Sequence, residues 1–446
     1  MRTLCKVFKP CQKRKKKADL AKQTHCKQHQ VKKSAVLSYN KAKHQSTNLF
    51  VTCCMIHFVR IKIIHPLQRY IHDSRSVGIT LLICTAISLI LANFGFWQEG
   101  YRNVWSDSFN GTIDHNMHIG LLLLPNSPVV LINDGLMTIF FFLVGMEIKR
   151  ELLTGELASI KKSLLPVFGA IGGMLVPALL FSLVNKGTAG MQGWAVPTAT
   201  DIAFTLGVAS LLGNRIPVGL KIFITALAII DDLGAIIVIA FFYGGQLQLW
   251  YLAGCATIVL ILWLLNRSKI KFGIAHWLLG LLLWYCMFHS GIHATVAGVV
   301  FALMVPTSLL SKLEIKFHKS VYFIIMPVFA LANTAIAFSS NSLHELNTPL
   351  SWGILAGLCL GKPLGICAAC YFLVQKKIAD LPRGVNWHKM IGAGLLAGIG
   401  FTMSIFISTL AFTDATQQDI AKISVLFASF IAMSVGFFWL KFEKHA

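Results

Sequence analysis

The segment from Gly193 to Tyr243 reads GWAVPTATDIAFTLGVASLLGNRIPVGLKIFITALAIIDDLGAIIVIAFFY. Its long apolar stretches carry three aspartates, Asp201, Asp231 and Asp232. If these stretches cross a bilayer, each ionised carboxylate costs roughly 2.5–3.5 kcal/mol on insertion scales. A chain that keeps three such residues is therefore expected to use them.

The composition indicates a membrane protein. Of 446 residues, 55% are hydrophobic and 13% are charged, and the mean hydropathy is +0.67. A soluble domain is rarely so apolar, so we predict a polytopic, all-α membrane protein. The net charge of +22 does not indicate a nucleic-acid partner for the membrane part, because residues 1–62 alone hold 16 Lys and Arg against one acidic residue.

The first 62 residues form a basic extension, distinct from a transmembrane domain at 63–446. This extension has few large apolar residues before Leu49 and contains the basic run from Lys13 to Lys17. Such a composition predicts a disordered tail without a core of its own. Three alternatives remain open: binding to anionic lipid, a weaker case for nucleic-acid binding, and a translation start downstream, for instance at Met55.

Twelve apolar stretches of spanning or near-spanning length follow the extension. Those at 273–288 and 291–306 are short and could instead form one broken segment. The predicted spans are 77–96, 128–150, 164–185, 192–212, 219–243, 250–266, 273–288, 291–306, 320–339, 352–374, 389–412 and 420–440.

The loops between these spans alternate in charge. Eighteen Lys and Arg fall on one side, called the inner side below, and three fall on the other, outer side: Arg102, Lys186 and Lys422. Cytoplasmic loops are rich in Lys and Arg. The pattern therefore predicts that both termini are cytoplasmic.

The long outer connection from Trp97 to Ser127 contains Asn110-Gly111, a common two-residue hairpin turn. We predict a small β-hairpin there, with an irregular loop as the alternative.

Spans three to five and ten to twelve form two triplets whose middle members contain helix-breaking residues. These are Pro-Thr-Ala-Thr-Asp at 197–201 and GAGLLAGIGFTMSIF at 392–406. Because the triplets start on opposite sides, they form inverted repeats. Interrupted segments at matching positions of two such repeats indicate the binding site of a transporter, as in the sodium/proton antiporter NhaA.

Several long strings carry a resemblance to the NhaA family of bacterial Na+/H+ antiporters over residues 77–439. They are NDGLMTIFFFLVGMEIKREL at 133–152, WAVPTATDIAF at 194–204, ALAIIDDLGAI at 226–236, GIHATVAGV at 291–299, PVFALANTA at 327–335, GKPLGI at 361–366 and GIGFTMSIFI at 398–407.

The resemblance implies a fold of about twelve transmembrane helices with two discontinuous helices that cross. It also implies electrogenic exchange of Na+, and of Li+, for H+ across the bacterial inner membrane, which regulates intracellular pH and sodium. Such a protein is a transporter and not an enzyme, needs no cofactor, and contacts membrane lipid. The resemblance further implies a homodimer, paired through the outer hairpin.

Two broken helices that face each other oppose like ends of their dipoles, so each crossing point needs a counter-charge. By resemblance, Asp201 and Lys362 occupy these positions. Lysine near the end of a span could instead extend its ammonium to the membrane interface.

The cation site is expected at Asp231 and Asp232, because Na+ prefers oxygen ligands and Thr200 adds a hydroxyl. We predict Asp232 as the principal ligand. Burial and a neighbouring negative charge both favour the protonated form of a carboxylic acid, so Na+ and H+ would compete for the same groups. A purely structural role for the two aspartates is the alternative, and the second exchanged proton could belong to Asp231 or to Lys362.

Four residues are candidates for a pH response: Glu147, Arg150, His293 and Glu314. The resemblance places Glu147, Arg150 and Glu314 in an inner, pH-sensing cluster. Alternatively, Glu147 and Arg150 form an ion pair at i,i+3 on one helix, and His293 is a packing residue.

Two other function classes also use intramembrane carboxylates. An intramembrane aspartyl protease needs two facing carboxylates, for which the sequence shows no GxGD context. A sodium-coupled symporter needs additional polar groups for its solute, and the sequence offers few.

Overall fold

A computed structural model describes residues 74–111, 116–119, 122–338 and 346–443. The basic extension at 1–62 lies outside these residues. Fourteen α-helices are described, several with a turn of wider π-helix: α1 Ser74–Asn93, α2 Gln98–Ser106, α3 Pro128–Thr154, α4 Ile160–Val184, α5 Ile202–Leu211, α6 Val218–Phe242, α7 Leu249–Arg267, α8 Ile274–Phe288, α9 Val296–Met304, α10 Thr307–Asn333, α11 Pro349–Gln375, α12 Trp387–Ala397, α13 Phe401–Ala411 and α14 Ala415–Lys441.

Within the described part of the chain, eight of these helices are long and apolar enough to cross a membrane, namely α1, α3, α4, α6, α7, α10, α11 and α14. Helices α12 and α13 together form a ninth span that is bent by 45°. The shorter apolar helices α5, α8 and α9 occupy the remaining predicted spans. The chain is therefore an all-α, multi-pass membrane protein.

The bounds of several predicted spans differ from those of the helices, and two of these differences have a clear local cause. The span expected at 320–339 begins at Thr307, because the polar segment before it continues the helix, and it ends at Asn333. The span expected at 291–306 shortens to α9, because Gly291 has a φ of +87° within the loop that separates α8 from α9. A positive φ suits glycine and ends regular helix.

The predicted outer hairpin is present, but its turn is not Asn110-Gly111. Strands β1 Asn116–Ile119 and β2 Leu122–Pro125 are antiparallel, and Ile119 pairs with Leu122. Residues 120–121 therefore connect the strands. Gly111 instead lies in a turn after α2, where it has a φ of +71°.

The two predicted triplets are α4 to α6 and α11 to α14, and their first helices, α4 and α11, pack along each other. Gly172 and Gly365 face each other at this contact, where a Cβ on either would meet the other's backbone carbonyl. Small residues allow such close approach of two membrane helices.

Candidate functional site

The middle segments of both triplets are broken where they meet. In the first, two short 3-10 turns, Ala189–Gly193 and Val196–Thr198, lead to an extended stretch before α5. In the second, residues 398–400 separate α12 from α13. The amide of Asp201 donates to the Ile399 carbonyl at 2.7 Å, so backbone groups freed by one break pair with the other.

Asp201 lies at the N-termini of two half-helices. Its Oδ1 accepts from the amide of Phe204 in α5 at 2.9 Å, and its Oδ2 accepts from the amide of Thr402 in α13 at 3.2 Å. The Thr402 hydroxyl also donates to Oδ2. One buried carboxylate therefore caps both positive helix ends.

Lys362 lies on the opposite side of the crossing, directly after a π-helical turn, Gly357–Gly361, in α11. Its Nζ is 2.5 Å from Asp231 Oδ2 and 2.6 Å from Thr200 Oγ1. The side chain is 0% exposed, so it does not extend to the membrane interface. The Thr200 hydroxyl in turn donates to the carbonyl of Ala397, the last residue of α12, at 2.8 Å. The ammonium thus reaches a negative helix end through one hydroxyl.

Asp231 and Asp232 are adjacent in α6 and both are buried. Asp231 Oδ2 is paired with Lys362, and no ion pair of Asp232 is found among the residues that the structure describes; within the same residues, the Oδ1 of each aspartate has no hydrogen-bond partner. Polar atoms buried in apolar surroundings are almost always satisfied. The two unpaired oxygens therefore indicate a place where a proton or a cation binds.

A small cavity adjoins Asp232. The space open to the centre of a water molecule is about 10 Å³, close to the lower limit for one water. Residues of α3, α10 and both broken segments line the cavity, among them Val144, Asp201, Tyr322 and Thr402. The site is thus closed to bulk water in this conformation.

His293 lies elsewhere, in the loop before α9. Its Nε2 is 3.1 Å from Asp134 Oδ1, and its Nδ1 is 2.9 Å from Thr295 Oγ1. The sequence analysis did not single out Asp134, which lies in a π-helical turn of α3. The sequence did contain a signal for Asp134, because an acidic residue within an apolar span usually has a function.

The predicted inner cluster comes together partly as expected. Arg150 forms ion pairs with Glu314 at 2.9 Å and with Glu151 at 3.1 Å. Among the described residues, Arg150 pairs with Glu314 and Glu151, and no ion pair within 4 Å joins it to Glu147. Glu147 is partly buried in α3.

The structure therefore groups Thr200, Asp201, Asp231, Asp232 and Lys362 at the crossing point, with Glu147, Arg150 and Glu314 at the inner end of α3 and His293 beside Asp134. Four acidic or basic side chains at the crossing point, with the hydroxyls of Thr200 and Thr402 beside them, form a site that can exchange a small cation for protons.

Comparison with known proteins identifies relatives along nearly the whole described chain. A family model described as Na+/H+ antiporter 1 matches residues 68–440. The Na(+)/H(+) antiporter NhaA 2 of Flavobacterium johnsoniae is 46% identical over 399 residues, which cover 87% of this chain and 94% of that protein. The Na(+)/H(+) antiporter NhaA of Cytophaga hutchinsonii is 42% identical over 388 residues, covering 85% and 96%. The protein of that name in Salmonella arizonae is 41% identical over 389 residues, covering 85% and 99%.

Proposed function

This chain belongs to the Na+/H+ antiporter 1 family, and we propose that it is an electrogenic exchanger that expels Na+, or Li+, from the cytoplasm in return for protons. Members of the family are transporters of Na+ and H+ and not enzymes. The family assignment therefore favours an antiporter over an intramembrane protease or a sodium-coupled symporter. The steps below concern this chain's own residues.

The unpaired oxygen of Asp232 is the observation that carries the proposal. A carboxylate buried without a partner is costly, so Asp232 binds a proton when no cation is present. When Na+ enters, it replaces that proton. Because Na+ and H+ compete for the carboxylate of Asp232, the transport of one ion is coupled to that of the other.

Asp231 Oδ1 has no partner among the described residues, but its Oδ2 becomes available to Na+ only when Asp231 leaves Lys362. The 2.5 Å ion pair occupies its Oδ2, and Na+ at the site offers Asp231 a competing positive charge. A buried ammonium that loses its partner releases its proton, because burial disfavours the charged form. We therefore assign the second proton to Lys362, with the Thr200 hydroxyl as an additional oxygen ligand for Na+.

This assignment fixes the charge moved in each cycle. One Na+ enters while Asp232 and Lys362 each lose a proton, so two positive charges exchange for one. The membrane potential then drives export. At 100 mV the single net charge contributes about 2.3 kcal/mol, equivalent to a sodium gradient of roughly 50-fold.

Asp201 and Lys362 also stabilise the crossing itself. Asp201 compensates the positive N-termini of α5 and α13, and Lys362 acts on the C-terminus of α12 through Thr200. The freed backbone groups can then line an ion site without a large free-energy penalty.

Alternating access requires the closed cavity at Asp232 to open to each side in turn. Helices α3 and α10 form one wall of this cavity, and the broken segments form the other. Rocking of these two groups against each other exposes Asp232 first to the inner side and then to the outer side.

We further propose a bacterial inner membrane location, with both termini cytoplasmic, because Lys and Arg are concentrated on the inner side. The protein forms a homodimer through the hairpin β1–β2, contacts lipid, and regulates cytoplasmic pH and sodium. The inner cluster of Glu147, Arg150 and Glu314, together with His293, adjusts activity to pH.

The test is sodium-induced dissipation of a pH gradient in proteoliposomes, comparing the wild type with Asp232→Asn. We expect the substitution to abolish exchange while the protein remains folded. Asp107→Asn, which changes an exposed acidic residue after α2, is the matched control and retains exchange. Unchanged activity of Asp232→Asn would exclude this carboxylate as the principal ligand.

A further inference from the structure

Tyr243 directly follows the helix that carries the two ligand aspartates. Its hydroxyl donates to the carbonyl of Gln192 at 2.8 Å and accepts from the amide of Ala195 at 3.3 Å. Gln192 lies in the first 3-10 turn of the broken segment, and Ala195 is the N-cap residue of the second turn, Val196–Thr198. One phenol therefore joins α6 to both turns.

These turns depend on outside partners for their position. Turns of three to five residues satisfy few of their own backbone groups, unlike a full helix. The amide of Ala195 is bonded by Tyr243, and the carbonyl of Ala195 accepts from both the amide and the hydroxyl of Thr198, at 3.0 and 2.8 Å. Tyr243 thus bonds to Ala195, and Ala195 in turn bonds to Thr198.

Thr198 lies two residues before Thr200, whose hydroxyl contacts Lys362. A continuous path of bonds therefore runs from the outer end of α6, through Ala195 and Thr198, back to the site in the middle of α6. A second contact reinforces this junction, because the rings of Trp194 and Phe242 meet edge to face with centroids 5.2 Å apart.

The phenol is suited to a constant structural bond. Burial raises the pKa of Tyr243, so its hydroxyl remains a donor throughout the pH range in which transport occurs. Deprotonation of Tyr243 therefore does not break the junction near neutral pH.

We propose that Tyr243 is a positioning residue for sodium binding, which keeps Thr200 in register with Asp231 and Asp232 by tying the outer 3-10 turns to α6. This inference rests on the proposed function of the site. Tyr243 contacts no transported ion and acts through the backbone at Gln192 and Ala195.

The experiment compares wild-type protein with Tyr243→Phe in proteoliposomes. Loss of the hydroxyl keeps the ring and removes both bonds. We expect the KM for Na+ to rise roughly 2- to 10-fold, because only part of the free energy of the two lost uncharged hydrogen bonds is transmitted to the ion site. The maximal rate and the thermal unfolding temperature are expected to remain near the wild-type values, because the ligands themselves are intact.

Tyr101→Phe is the matched control. The Tyr101 hydroxyl also joins different elements on the outer side, since it donates to Ser88 Oγ at 3.0 Å, but it has no connection to the broken segment. Its removal should leave the KM for Na+ unchanged.

Three results would overturn the inference: an unchanged KM in Tyr243→Phe, an equal rise in Tyr101→Phe, or a loss of maximal rate that parallels a loss of thermal stability. Failure of the proposed function is visible separately, because wild-type protein would then show no sodium-dependent exchange, or Asp232→Asn would retain it.

Discussion

The ammonium of Lys362 lies 2.5 Å from the carboxylate of Asp231, and both side chains are fully buried. No ion pair of the neighbouring Asp232 is found among the described residues, although the Oδ1 of both aspartates lacks a hydrogen-bond partner there. Two adjacent aspartates therefore have different tasks, set by their partners. Asp232 can bind an ion directly, whereas Asp231 must first break its ion pair with Lys362 before its Oδ2 can do so.

Lys362→Gln tests the assignment of the second proton. Without the ammonium, exchange that survives should move one proton for each Na+ and become electroneutral. Removing one partner of a buried ion pair typically costs about 3–5 kcal/mol, so a lower thermal unfolding temperature is also expected. A voltage-sensitive dye in sodium-loaded liposomes measures the charge moved.

Lys362→Arg is the companion variant. Arginine keeps the positive charge but does not release its proton in proteins. We expect slow or absent turnover with better folding than Lys362→Gln.

Electrogenic exchange at the wild-type ratio in Lys362→Gln would show that the second proton comes from another group.

Asp201→Asn tests the double helix cap. The carboxylate accepts from the amides of Phe204 and Thr402, whereas an asparagine presents its amide NH2 to one of these donors. We expect a loss of about 1–3 kcal/mol in the free energy of unfolding, followed by thermal denaturation in detergent. Asp414→Asn is the control, because Asp414 caps only α14 at an exposed position. Equal effects of the two substitutions would contradict the double-cap role.

The positions of the helices could be predicted from the sequence because the membrane requires about twenty apolar residues for each span. The breaks were also visible, since Pro197, Gly398 and Gly400 disrupt otherwise apolar segments. The prediction of the hairpin turn at Asn110-Gly111 was wrong, because Asn-Gly occurs in several kinds of tight turn. The two strands pair with Ile119 opposite Leu122, so the connection between them follows Ile119.

The partners of charged side chains were harder to predict, because they depend on packing between distant segments. Lys362 and Asp231 are 131 residues apart, and Arg150 and Glu314 are 164 residues apart. The π-helical turns before Lys362 and around Asp134 lie within segments that are apolar on most sides. The sequence of such a segment has no polar face whose shift would reveal a wider turn. The tertiary structure alone reveals that Lys362 pairs with Asp231.

Glu314→Gln tests the inner cluster. Glu314 is almost buried and pairs with Arg150, and its Oε1 has no partner among the described residues. If this cluster responds to pH, loss of one titrating group should make the pH dependence of the exchange rate less steep. Activity across a pH series in proteoliposomes measures the slope. Glu156→Gln, in the more exposed pair with Lys162, should leave it unchanged; the hypothesis fails if both variants keep the wild-type profile.

Gly365→Ala tests whether the two inverted repeats depend on close backbone contact between α4 and α11. The new Cβ would meet the carbonyl of Gly172, which cannot move aside as a flexible side chain could. Separation of the helices should then cost about 1–3 kcal/mol of stability, as overpacking usually does. Gly100→Ala is the control, because nothing lies within 4 Å of its Cβ in the exposed helix α2, where alanine should stabilise by up to about 1 kcal/mol. If Gly365→Ala unfolds at the wild-type temperature, the repeats tolerate a wider spacing, and the position of Lys362, three residues earlier on α11, is set by the crossing segments alone.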